Sequence, residues 1–144
     1  MITRRLLLLV SLALLAVGSG PRLARAEAPP RGSALRKAIL DALRGRVEQD
    51  LGAPVEFEVS RINVDREWAF VSATPVRPGG APIDWTRTRF AEEIAKDMMS
   101  TVLLALLRHD GTEWRIAEYD LGPTDVTWVE WIAKYGLTER FFLE

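Results

Sequence analysis

Hydropathy changes period several times along this chain. Leu6 to Val17 is an unbroken apolar run behind Arg4 and Arg5. From Ser33 the apolar positions recur every four residues, Leu35, Ile39, Leu43, Val47 and Leu51, and Ala38 and Ala42 widen the stripe. Arg36, Lys37, Arg44 and Glu48 lie opposite, so the spacing predicts an amphipathic helix from Ser33 to about Leu51. Ser33 supplies the cap, Gly52 the stop, and Pro54 forbids continuation. From Val55 the period falls to two. Val55, Phe57 and Val59 alternate with Glu56, Glu58 and Ser60, and Ile62 and Val64 resume in the other phase, which predicts a strand with a bulge near Ser60 and Arg61. After a turn within Asn63 to Glu67, Trp68 to Val76 reads as a second strand, apolar on both faces and paired antiparallel with the first.

Pro75, Pro78, Gly79, Gly80 and Pro82 open a loop that extends to about Thr88. Phe90, Ile94 and Met98 recur at helical spacing, whereas Val102 to Leu107 is a short continuous apolar run. The turn signature Arg108-His109-Asp110-Gly111-Thr112 follows. We read a short helix from Phe90 to about Lys96, a strand from about Thr101 to Arg108, and a partner strand over Glu113 to Leu121 with Trp114, Ile116, Glu118 and Asp120 on one face. Gly122 and Pro123 end that strand, and Asp125 places negative charge at the start of a last helix. That helix carries the core stripe Trp128, Trp131, Ile132 and Tyr135, and Phe141, Phe142 and Leu143 form an apolar tail that docks on the domain. The expected fold is α+β: a long N-terminal helix packed on one face of a four-stranded antiparallel sheet of two hairpins, with a short middle helix and a C-terminal helix.

The first apolar run is too short to span a bilayer, and Ala24-Arg25-Ala26 offers a small-x-small cleavage site before Glu27. Residues 1–26 therefore read as an export signal, 27–32 as a flexible Pro/Gly leader, and 33–144 as one domain. Thr3-Arg4-Arg5-Leu6 resembles the twin-arginine export pattern, while the strongly apolar Leu6 to Leu9 suits the general secretory route; both begin with basic residues. The chain has no cysteine, so neither lipid anchoring through cysteine nor disulfide stapling is available, which points to a bacterial periplasm or secretion. No stable membrane anchor is expected after cleavage. Of 19 Lys and Arg, four leave with the signal, and 15 remain against 20 Asp and Glu, a net charge of −5. Such a domain lacks the basic surface that grips a phosphate backbone, which argues against nucleic acid.

The element order resembles the cystatin-like and nuclear-transport-factor-2-like group of small α+β domains. The chain also resembles uncharacterised exported bacterial proteins that pair an E-W-A-F strand start, Glu67 to Phe70, with a closing W-R-x-x-x-Y-x-x-G-x-T-D-V segment, Trp114 to Val126. The resemblance implies a long helix on a curved sheet; it implies no activity, because members of that group catalyse or merely bind.

Candidate chemistry is sparse. His109 is the only histidine and sits in a turn, and no H-x-x-x-H or cysteine set suggests a metal. No G-x-S-x-G elbow surrounds a serine, and Gly79-Gly80 lacks the Lys-Ser/Thr of a phosphate loop. No catalytic residue, metal or cofactor is assigned, and the chain is read as non-enzymatic. Trp85 stands apart among five tryptophans as a loop residue flanked by Asp84, Arg87 and Arg89. The expected function is binding of a small apolar or amphipathic ligand, or a peptide, between sheet and helices. Asp84, Trp85, Arg87 and Arg89 would form its lid, and Trp68 and Trp114 would line it. The alternatives are a protein-interaction module, inhibitor or assembly unit, working through loop tips or an exposed strand, and an acid/base enzyme of the nuclear-transport-factor-2-like type. The inhibitor version lacks a Q-x-V-x-G hairpin.

Overall fold

The computed structural model describes residues 26–144; the export-signal reading of 1–26 and both candidate export routes lie outside the described residues, apart from Ala26. Four antiparallel strands make one sheet in the order β1-β2-β3-β4: β1 Glu56–Asp65, β2 Trp68–Val76, β3 Leu103–His109 and β4 Trp114–Leu121. The helices are α1 Ala34–Leu51, α2 Ala91–Ala95, α3 Trp128–Tyr135 and α4 Glu139–Leu143. Among the described residues no helix is long and apolar enough to cross a membrane.

α1 begins where the Ser33 hydroxyl accepts from the Arg36 amide. Ile39, Leu43, Val47 and Leu51 are buried, whereas Leu35, in the same stripe, is 41% exposed beside the leader and the end of β1. The helix is closed by a distant residue: the Arg77 guanidinium donates to the carbonyls of Leu51 (2.8 Å), Gly52 (2.5 Å) and Pro54 (3.0 Å). This satisfies oxygens that a helix end leaves without partners. The Ala53–Pro54 peptide bond is cis.

β1 and β2 pair with the expected bulge, the register shifting between Val59 and Arg61. The helix-to-strand change between Phe90 and Arg108 is also present, as α2 followed by β3. At the junction into α3, Gly122 has φ 80°, and a Cβ there would stand 2.9 Å from the Ser100 carbonyl oxygen and against Met99, so only glycine fits. α3 starts after Thr127, two residues beyond Asp125. The residues of the leader lie against β1: Glu27 and Val64 exchange backbone hydrogen bonds of 2.9 and 2.8 Å, and Pro29 is buried.

The sheet is covered on both faces, not on one. α1 packs with Ala69, Val71, Ala73, Leu103, Ala105 and Leu107. On the other face α3 and α4 pack with Trp68, Phe70, Leu104 and Leu106. The reason lies in β2 and β3, whose runs Trp68 to Val71 and Leu103 to Leu107 bury apolar side chains on both faces. Phe142 is the centre of the second layer, stacked on Trp128 at 5.0 Å and edge-on to Phe70 at 5.0 Å. The Asn63 side chain, 2% exposed, donates to the Phe141 carbonyl at 2.9 Å, and Arg61 donates to that of Phe142 at 2.8 Å. These bonds fasten α4 to β1. Phe141 and Phe142 dock as expected, but Leu143 is half exposed.

Candidate functional site

The six residues expected to build one ligand site are not gathered. Asp84 accepts from the Thr86 amide and hydroxyl and so caps a single 3-10 turn over Trp85–Arg87. Trp85 packs on the α1-side core and against Phe90. Arg89 reaches the Asp50 carboxylate at 2.5 Å, with its guanidinium 4.3 Å from the Phe90 ring centre. Arg87 is exposed. The loop is thus pinned to the core by its own side chains. Trp68 faces the other layer, tilted against Tyr135 at 5.0 Å. Trp114 lies on the α1 side, near the β3–β4 turn. The sheet itself stands between Trp68, on the α3–α4 face, and Trp85 and Trp114, on the α1 face, which the sequence placed together.

Asp50 is the one node that the sequence did not signal. Its side chain is 7% exposed and accepts from Arg46 (2.7 Å), Arg89 (2.5 Å) and the Tyr119 hydroxyl (3.0 Å), while the Arg46 guanidinium sits 4.6 Å from the Tyr119 ring centre. Burial pushes the Asp50 carboxyl up, but the hydrogen bonds from Arg89, Arg46 and Tyr119 outweigh it and hold the group below its ordinary value. Burial and the adjacent Asp50 charge push the Tyr119 hydroxyl well above its ordinary value. A carboxylate so occupied, held ionised by three donors, is a structural latch and a poor proton acceptor.

A groove of about 710 Å³ lies between the N-terminal half of α1 and the β3–β4 hairpin. Ala38, Ala42, Trp114 and Ile116 make its apolar floor, and His109, Thr112, Glu113 and Arg115 its polar rim. The small residues of α1 leave the space; the hairpin walls it. That wall is stiff. Asp110 accepts from the amides of Thr112 and Glu113 (2.9 Å each) and from Arg115 (2.5 Å), which hold its carboxyl far below the usual range. His109 Nδ1 accepts from the Gly111 amide at 3.2 Å, and its ring stands edge-on to Trp114 at 5.2 Å. Trp114 is therefore the only member of the expected set that borders this groove. Its other residues appear in the sequence only as a helix stripe and a turn, which carry no chemical signature. A second groove, of about 590 Å³, runs on the far flank of α1 past Arg36, Leu40, Phe57 and Thr74.

β4 is the last strand of the sheet, and among the described residues no backbone hydrogen bond outside the β3–β4 ladder involves residues 114–121. Its outer edge is unpaired. A register shift between Leu106 and Leu107 leaves Ala117 as a bulge in β4. The bulge corrects the simple alternation expected here: Trp114, Ile116, Tyr119 and Leu121 all pack on the α1 side, while Ala117 packs on the α3 side. Glu118 turns the same way and accepts from the Tyr135 hydroxyl at 2.7 Å and from Lys134.

Comparison with protein-family models, with curated proteins and with solved structures finds no match to this chain.

Proposed function

We propose that the protein is an exported, non-catalytic binding domain that takes a small amphipathic molecule or a peptide side chain in the groove between α1 and the β3–β4 hairpin. Cleavage after residue 26 would release it into the bacterial periplasm or medium without a membrane anchor. The observation that carries this reading is the groove itself, an apolar floor of Ala38, Ala42, Trp114 and Ile116 under a rim of polar residues whose backbone the Asp110 carboxylate holds in a turn. Such a pairing of apolar area with a few oriented polar groups is what small-molecule recognition uses. The layer of α1 on an antiparallel sheet supports the cystatin-like and nuclear-transport-factor-2-like grouping, to which α3 and α4 add a second layer. Against the acid/base alternative, the buried carboxylate Asp50 has its oxygens engaged by two arginines and a tyrosine.

Native mass spectrometry of protein purified from its own compartment tests this. A retained small molecule is expected, and Trp114→Ala should lose it, whereas Trp85→Ala, remote from the groove, should retain it at reduced thermal stability. Retention by Trp114→Ala together with loss by Trp85→Ala would return the site to the 84–89 loop and overturn the reading.

A further inference from the structure

We infer that the open edge of β4 pairs with β4 of a second copy of this chain across a two-fold axis, joining two sheets into one of eight strands. This does not depend on what the groove holds.

The first argument is backbone direction. Gly122 N–H donates to the Val102 carbonyl and Asp110 N–H to the Glu113 carbonyl. Alternation from these anchors turns Asp120 and Glu118, and Arg115, toward β3, and turns Leu121, Tyr119, Ile116 and Trp114 outward. The outward groups of this strand have no partner among the described residues. An unpaired edge of this kind is a template for another strand, and charges or bulges are the usual defence.

Here the bulge at Ala117 does something else. It shifts the phase of the strand halfway along, so the outward residues 114 and 116 on one side of it are matched by 119 and 121 on the other. An antiparallel copy set with Ile116 opposite the second copy's Tyr119, and Trp114 opposite its Leu121, satisfies four outward residues on each strand at once. All four side chains lie on the α1 face. An unbulged strand in that register would set side chains of opposite faces against one another.

The second argument is charge. The same register places Ala117 opposite Glu118, and Arg115, which within its own chain already bridges Asp110 (2.5 Å) and Glu113 (2.6 Å), opposite Asp120 of the other copy, twice by symmetry. Asp120 has no salt bridge within the chain among the described residues. Opposite charges facing each other across strands stabilise pairing, and like charges oppose it. Clearance is the third. α1 carries Ala38, Ala42 and Gly45 along one face, and a Cβ built on Gly45 would meet nothing within 4 Å. Isologous pairing of this sort is the commonest way in which soluble chains associate.

In the dimer, Tyr119 and Leu121 of each copy stand beside Trp114 and Ile116 of the other, walling the open side of the groove. Sedimentation equilibrium over a concentration series tests the pairing. The wild type should show a monomer–dimer equilibrium. Asp120→Arg, which sets two arginine pairs against each other, should raise the dissociation constant by about tenfold or more. Arg115→Asp combined with Asp120→Arg restores opposite charges and should bring it back. A wild type that stays monomeric up to about 100 μM overturns the inference, as does an Asp120→Arg variant that dimerises as tightly as the wild type. So does a double variant that remains as weak as Asp120→Arg while melting cooperatively near the wild-type temperature.

Discussion

The Tyr119 hydroxyl donates to the Asp50 carboxylate at 3.0 Å, tying the middle of β4 to the last turn of α1. Arg89 reaches the same carboxylate from the loop before α2, so one acidic group fixes three segments.

Replacing Asp50 with Asn should destabilise the domain by roughly 1–3 kcal/mol at neutral pH, because the arginine and tyrosine donors lose a charged acceptor. The sign with pH follows from the depressed carboxyl. A group that is more acidic folded than unfolded contributes fully above its unfolded value, about 4, and that contribution fades as the pH falls through its folded value. Thermal melts of wild type and Asp50→Asn should therefore differ most near pH 7 and converge below about pH 4. A difference that persists unchanged well below about pH 4 would show that the charge is not what the variant removes.

Asn63→Ala should cost about 1–2 kcal/mol, since it leaves the buried Phe141 carbonyl without its donor. The loss should be local. Hydrogen exchange should accelerate in α3 and α4 while α1 keeps its protection; uniform acceleration would mean that the two layers open together.

Gly45 sits in the middle of α1 with helical geometry and open space around it. Gly45→Ala should raise the melting temperature of the monomer by roughly 2–5 °C, the gain of about 0.5–1 kcal/mol that alanine brings to a helix interior. An unchanged or lower melting temperature would show that something unseen in the single chain occupies that face.

Much of the fold is written in local pattern. The four-residue stripe of α1, the phase flip at Ser60 and Arg61 and the turn at His109 to Thr112 each set one element, and each is where expected. The layer arrangement is not local. In β2 every position from Trp68 to Val71 is buried, so polarity does not say that Trp68 and Phe70 face one layer and Ala69 and Val71 the other. That ambiguity put Trp68 beside Trp114 in the sequence reading. The Ala117 bulge was hidden for a related reason: Glu118 and Asp120 fit a plain alternation, and only their partner strand shows the shift. Asp50 was invisible because its partners are 4, 39 and 69 residues away, and a lone aspartate near a helix end looks like a solvated one.

Arg61 and Asn63 grip carbonyls 81 and 78 residues further along the chain. Closing so wide a span is slow, because chain entropy must be surrendered before any contact repays it. The hairpins have short turns, whereas the bonds that fasten α4 to β1 bridge 81 and 78 residues, wider spans than the 69 residues that tie α1 to β4. Until α3 and α4 dock, Trp68, Phe70, Leu104 and Leu106 form a bare sticky plate. Exposed apolar surface of that kind is what makes incompletely folded chains prone to clump together.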